Sequence, residues 1–139
     1  MHELFEHKAD IGIRGIGETK EEAFAECAKA MFSVMVDLET VGSEEKFDIE
    51  IETNDLESLL VDFLNHLLYL RDVNETLFNK FDLYIINEGD EWKLNGTGFG
   101  EKINKKKHDI KSDVKAASYH QLDVAEKDGK WLAQCVVDV

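Results

Sequence analysis

At 139 residues the chain has room for one ordinary domain, and at this length folding buries about two-thirds of the surface an unfolded chain exposes, so a core forms without metal or disulfide staples. Apolar residues make up 43% and charged residues 33%, a globular composition that excludes disorder. The formal charge of −14 argues against nucleic-acid binding as the main business of the molecule.

The opening Met1-His2-Glu3-Leu4-Phe5-Glu6 is acidic where a secretory signal is basic and then apolar, and no run of about 18 apolar residues follows anywhere. A cytoplasmic protein with no membrane span is expected. Residues 10–17 place Ile11, Ile13 and Gly15 on one side of a period-2 pattern, as a strand does. Thr19 and Glu22 form a capping box: the Thr19 hydroxyl can accept the Glu22 amide while the Glu22 carboxylate returns to the Thr19 amide. A helix of about 16 residues follows, with Phe24, Cys27, Ala28, Met31, Phe32 and Met35 at helical spacing as a core stripe. From 46 to 53, Phe47, Ile49 and Ile51 alternate with acids, which predicts a half-exposed strand. A second helix opens at Asn54 or Asp55 and runs to about Asp72 on a wide arc of leucines, where His66 reads as a rim or core residue because no second ligand stands at i+4. Residues 78–86, 91–94 and 115–124 read as strands, and 131–137 pairs with the last through Asp128-Gly129, a hairpin turn. These elements predict a single α+β domain over 1–139: a two-layer sandwich with two helices packed on a mainly antiparallel or mixed β-sheet.

Charge is uneven along the chain. Residues 1–60 carry five Lys or Arg against sixteen Asp or Glu, whereas in 102–115 six lysines (Lys102, Lys105, Lys106, Lys107, Lys111 and Lys115) meet only Asp109 and Asp113. That segment is either a solvated loop balancing the acidic body or a contact for an anionic partner. Cys27 and Cys135 form no C-x-x-C and sit among apolar residues, so reduced core thiols are expected.

No complete catalytic set appears. The glycine clusters 12–17 and 96–100 match no nucleotide-binding pattern, and Ser118 with His120 is too generic to be a nucleophile pair. Polar residues in otherwise strand-like surroundings remain: His7 and Asp10 at the first strand, Lys115, Tyr119 and His120, and Asp138 directly after Val136-Val137. Asp138 can simply reach solvent. Alternatively Asp10, Asp138 and the carboxylate or main-chain oxygen of Val139 offer the oxygen ligands that a hard divalent cation prefers. A metal-dependent hydrolase using His7, Asp10, His120 and Asp138 is a rival reading.

Four stretches, taken together and in order, resemble the archease family: Phe5-Glu6-His7-Lys8-Ala9-Asp10-Ile11-Gly12-Ile13; Glu21-Glu22-Ala23-Phe24 with Ala30-Met31-Phe32; Leu59-Leu60-Val61-Asp62-Phe63-Leu64-Asn65; and Val114-Lys115-Ala116-Ala117-Ser118-Tyr119-His120 with the closing Val136-Val137-Asp138-Val139. The resemblance implies an accessory activator of the GTP-dependent RNA ligase that joins tRNA exons. Such a protein promotes guanylylation of a ligase histidine and multiple turnover, broadens nucleoside triphosphate use, and catalyses nothing itself. It implies a divalent cation, calcium in the first place with magnesium or manganese as alternatives, held by Asp10, Asp138 and Val139. It also implies roles in ligase activation for Asp10, Lys115 and Asp138, with His7, Tyr119 and His120 around them. The partner is then the ligase, with no stable nucleic-acid binding of its own; a chaperone-like modulator of RNA-modifying enzymes is the alternative. Lys8 and Ser118 stand where the family usually has Thr, and the Lys8 charge beside the cation site would weaken metal affinity.

Overall fold

The computed structural model describes residues 1–7 and 10–139. Eight strands and two long helices follow in the order β1 (His2–His7), β2 (Asp10–Gly17), α1 (Lys20–Met35), β3 (Glu45–Thr53), α2 (Leu56–Asn74), β4 (Thr76–Glu88), β5 (Glu91–Lys102), β6 (Ala116–Ala117), β7 (Asp123–Lys127) and β8 (Lys130–Asp138), with one 3-10 turn at Leu38–Thr40.

Local chemistry starts and stops the helices. The Thr19 side chain accepts the Glu22 amide of α1 at 3.1 Å, but the Glu22 carboxylate returns to the Glu18 amide at 3.2 Å, one residue earlier than the capping-box reading expects. Asp55 caps α2 through the Ser58 amide at 2.8 Å, and Glu75, in the left-handed region at φ 51°, ends it. The buried stripe of α1 includes Phe24, Cys27, Met31 and Phe32, and that of α2 includes Leu60, Phe63, Leu64 and Leu67.

The strands divide between two sheets where the periodicity suggested one. Five strands form the first, in the order β1-β2-β8-β6 with β7 sharing the β6 edge of β8; the second is β3-β5-β4. Every pairing is antiparallel, so the mixed option is not used among the described residues. Helix α1 touches β2 and β8 of one sheet and β4 of the other, while α2 touches β3, β4 and β5 as well as β6. Both helices therefore build a single core with both sheets, an open α+β sandwich in which Phe24, Phe32, Phe63, Phe78 and Phe81 meet at ring centroid distances of 5.6–6.4 Å.

Three boundaries differ from the sequence reading. Strand β1 joins the edge of β2. Strand β5 runs on through Gly96, Gly98 and Gly100, the cluster that matched no nucleotide loop. The 115–124 stretch is not one strand: it breaks between β6 and β7, where Gln121 adopts φ 53°. The Asp128-Gly129 hairpin forms with φ 54° and 79° at its two turn residues, the left-handed pair that a two-residue turn requires. Gly15 has a different function. A Cβ there would collide with the Ala23 carbonyl and the Cys27 amide, so only glycine lets α1 lie this close on β2. Cys27 and Cys135 are both free and buried under that contact; burial pushes the Cys135 thiol up to about 12, and burial followed by the neighbouring Cys135 sulfur raises the Cys27 thiol well above its ordinary value.

Candidate functional site at the Asp10–Asp138 end of the first sheet

The first sheet pairs the beginning of the chain with its end. Register partners Ile11 and Val137 stand opposite each other on β2 and β8, and one step further lie Asp10, which opens β2, and Asp138, which closes β8. On the flanking strands His7 stands opposite Asp10, and Ala116 opposite Asp138. One row across the sheet thus reads His7, Asp10, Asp138, Ala116. The Lys115 amide donates to the Asp138 carbonyl at 2.8 Å, which holds Lys115 beside the row.

Strand alternation decides which side the aspartates belong to. Ile11, Ile13 and Gly15 face α1, so Asp10 shares the opposite side of β2 with Gly12 and Arg14, and Asp138 shares that side of β8 with Val136 and Gln134. This outer side is built from cross-strand pieces. The Phe5 ring of β1 covers Gly12, the Arg14 guanidinium lies 4.8 Å from that ring's centroid, and Arg14 also bonds Glu3 and Gln134 at 2.9 Å each.

Asp10 and Asp138 are half-buried, and neither side chain has a hydrogen bond or ion pair among the described residues. Like charges opposed across a strand pair destabilise it, so this row carries a cost that a cation from outside would relieve. Among the described residues no three His, Cys, Asp or Glu side chains gather as a metal-holding group. Val139, with a further carboxylate and main-chain oxygen, follows Asp138 directly. The donor chemistry, carboxylates with no sulfur or imidazole from Asp10, Asp138 and Val139, fits a hard divalent ion.

The remaining residues singled out from sequence fall around this row. Lys115 and Tyr119 are exposed, Tyr119 to 61%. His120 is exposed on the turn that follows, and its carbonyl accepts the Val136 amide at 3.1 Å, two residues back from Asp138. Ser118 bonds the Val136 carbonyl through both its amide and its hydroxyl at 2.9 Å. His7 enters only as a strand position. Its side chain and the Lys8 charge expected to weaken the cation site lie outside the described residues.

Sequence reasoning missed the residues that hold this edge in place. Asn65 of α2 uses both ends of its amide on β6: Oδ1 accepts the Ala117 amide at 2.9 Å and Nδ2 donates to the Ala117 carbonyl at 3.2 Å. Arg71, one helical turn and a half further on, donates to the Val114 carbonyl at 3.0 Å while pairing with Asp72 and Asp113. Together they fix both sides of Lys115. The available signal was Asn65 itself, a polar residue four after buried Val61 and three before buried Leu68, on a stripe otherwise apolar.

Two antiparallel sheets around two helices, with a row of opposed carboxylates where the first and last long-range strands meet, define a small α+β protein that presents one charged sheet end. The chain belongs to the archease family: the model described as Archease protein family (MTH1598/TM1083) matches residues 2–139. It is 44% identical over 138 residues to the protein archease of Pyrococcus furiosus, covering 99% of this chain and 97% of that one. It is 42% identical over 139 residues to the protein archease of Methanosarcina mazei, covering 99% and 95%. The solution structure of protein 1598 of Methanobacterium thermoautotrophicum superposes with a TM-score of 0.87 at 36% identity, covering 99% of this chain and 98% of that one. A Thermotoga maritima crystal structure described as an archease, "possible chaperone", matches at a TM-score of 0.59 and 20% identity over 100% and 98% of the two chains, a likeness of fold alone. No helix among the described residues is long and apolar enough to cross a membrane.

Proposed function

We propose that this chain is an accessory activator of the GTP-dependent tRNA-splicing RNA ligase, acting on the ligase in the cytoplasm without turning over a substrate of its own. In this reading it promotes guanylylation of the ligase histidine, sustains multiple turnover and widens nucleoside triphosphate use. The observation that carries it is the row in which Asp10 and Asp138 stand opposed, without side-chain partners among the described residues, beside Lys115, in a chain of the archease family.

Asp10, Asp138 and Val139 would hold a divalent cation, calcium or else magnesium or manganese, whose chemistry is to neutralise triphosphate charge. The aspartates aim negative charge at a basic nucleotide site on the ligase, which favours encounter and orientation. Lys115 offers an ammonium beside them for a phosphate oxygen or a ligase carboxylate. Asn65 and Arg71 keep the Lys115 segment at the correct register.

Ligation with limiting ligase, with and without this protein, at several GTP concentrations tests the reading. Product should exceed one equivalent of ligase, and guanylylated ligase should form faster. No change in either quantity at large molar excess overturns it. The Thermotoga description "possible chaperone" favours a broader chaperone-like modulator as the second reading. Equal stimulation of an unrelated RNA methyltransferase would select that one.

A further inference from the structure

The lysines of 102–115 are solvated, but they neutralise little of the acidic body by direct contact. Of the six, only Lys107 has an ion pair among the described residues, with Glu101 at 2.9 Å. All six are exposed. The backbone beneath them is tied down at close intervals. His108, buried to 1% exposure, accepts the Asn104 amide on Nδ1 at 2.9 Å, so Nε2 is the nitrogen that carries hydrogen and donates to Glu101 at 2.7 Å. Asn104 in turn accepts the amides of Lys106, Lys107 and His108. Further on, the Lys111 amide bonds the Met35 carbonyl at 2.8 Å and the Lys115 amide bonds Asp138. The segment is therefore a strap with fixed ends that carries Lys105, Lys106 and Lys111 into solvent and runs directly into the Asp10–Asp138 end.

Fixing several like charges along one exposed strap is unfavourable unless an anion meets them. Lysine is depleted in protein–protein interfaces and the strap carries no aromatic anchor, whereas exposed lysines spaced along a preformed backbone are the usual means of contacting phosphates. We propose that the 102–115 strap contacts the sugar–phosphate backbone of the RNA while the chain is docked on the ligase. The proposal rests on the ligase-activator reading. The body's charge of −14 explains why such contact would need the docked state: free in solution the whole molecule repels RNA.

The test is the triple variant Lys105→Gln, Lys106→Gln, Lys111→Gln, none of whose side chains supports the fold, beside a Lys→Arg triple at the same positions. Guanylylation of the ligase involves no RNA and reports the activator reading alone; the affinity of the ligase–protein complex for a single-stranded RNA oligonucleotide reports the strap. The Gln triple should stimulate guanylylation as the parent does, weaken RNA binding by the complex several-fold, and flatten the salt dependence of binding by about 2 in slope for three phosphates released. The Arg triple should restore both. Unchanged RNA affinity and salt slope overturn the strap proposal. A need for more Gln triple to reach half-maximal guanylylation, with RNA affinity untouched, also overturns it and assigns the strap to an acidic protein surface. Failure of the parent to stimulate guanylylation instead overturns the activator reading, and this proposal with it.

Discussion

Two carboxylate sites in this molecule contrast. Glu101 is met on every side: by Lys107 Nζ at 2.9 Å, by the Gly42 amide at 3.2 Å and by His108 Nε2 at 2.7 Å. The Lys107 and Gly42 hydrogen bonds, outweighing partial burial, hold its carboxyl at about 2, well below the usual range. Asp10 and Asp138 face each other across a strand pair and have no such partners among the described residues. A charge matched inside the fold serves the fold, whereas a charge left unmatched is available to something outside it.

The largest expected effect follows from the unmatched pair. Asp10→Ala and Asp138→Ala should each reduce ligase stimulation to the level of ligase alone, while thermal unfolding without added metal stays unchanged or moves upward because like-charge repulsion is relieved. Calcium titration by calorimetry should show binding to the parent that both variants lose. Stimulation intact in both variants would remove the aspartates from the function. Lys115→Ala should weaken stimulation but leave the calcium isotherm in place, since Lys115 meets the row through its backbone amide.

Asn65→Leu sharpens the comparison from the packing side. The half-buried amide is replaced by an apolar side chain of similar size, and the Ala117 N–H and C=O each lose a partner, at a cost of about 1–3 kcal/mol. Denaturant unfolding should report that loss. Because β6 carries Lys115 beside Asp138, stimulation per folded molecule should also fall, while Asp10 and Asp138 keep their ladder. A stability loss with no effect on stimulation would make the α2–β6 bond purely structural.

The helices and β2 were legible from sequence because period and capping agreed: Thr19 and Asp55 mark starts, and buried stripes follow at 3.6-residue spacing. Strand β1 was not. Leu4 and Phe5 are adjacent, so no alternation shows, and at a sheet edge Leu4 remains 50% exposed while Phe5 covers Gly12 on the outer side. The second half of β5 was hidden by three glycines, which carry no strand preference and are readable only against what they approach in the fold, the β4 backbone for Gly96 and Gly100 and the Phe78 ring for Gly98. The split into two sheets escaped for a similar reason, since alternation identifies a strand and not its partner. At the site, Asp10 and Asp138 stood out as acids at apolar strand ends, yet their adjacency is a contact across almost the whole chain that no local pattern announces. Asn65 left only the faint signal of a polar residue among apolar ones, and Arg71 left none, because what ties them to this edge is the Ala117 and Val114 backbone, which no residue type announces.

The matched site gives the smallest and most specific prediction. Glu101→Gln keeps the shape but removes the charge that Lys107, the Gly42 amide and His108 converge on, at about 0.5–1.5 kcal/mol near neutral pH, and should leave ligase stimulation per folded molecule unchanged. Its pH dependence separates this from an ordinary packing defect. Glu101 is held at about 2 in the fold against 4.5 for the free group, so its depressed value contributes stability that is complete above about 4.5 and is lost as pH falls toward 2. In the parent that contribution disappears across this window; in the Gln variant it is absent throughout. The two unfolding midpoints should therefore differ most above pH 5 and converge as pH approaches 2. A constant gap across the window would mean that Glu101 acts through its shape and not its charge, and the contrast with Asp10 and Asp138 would then rest on their opposition across β2 and β8 alone.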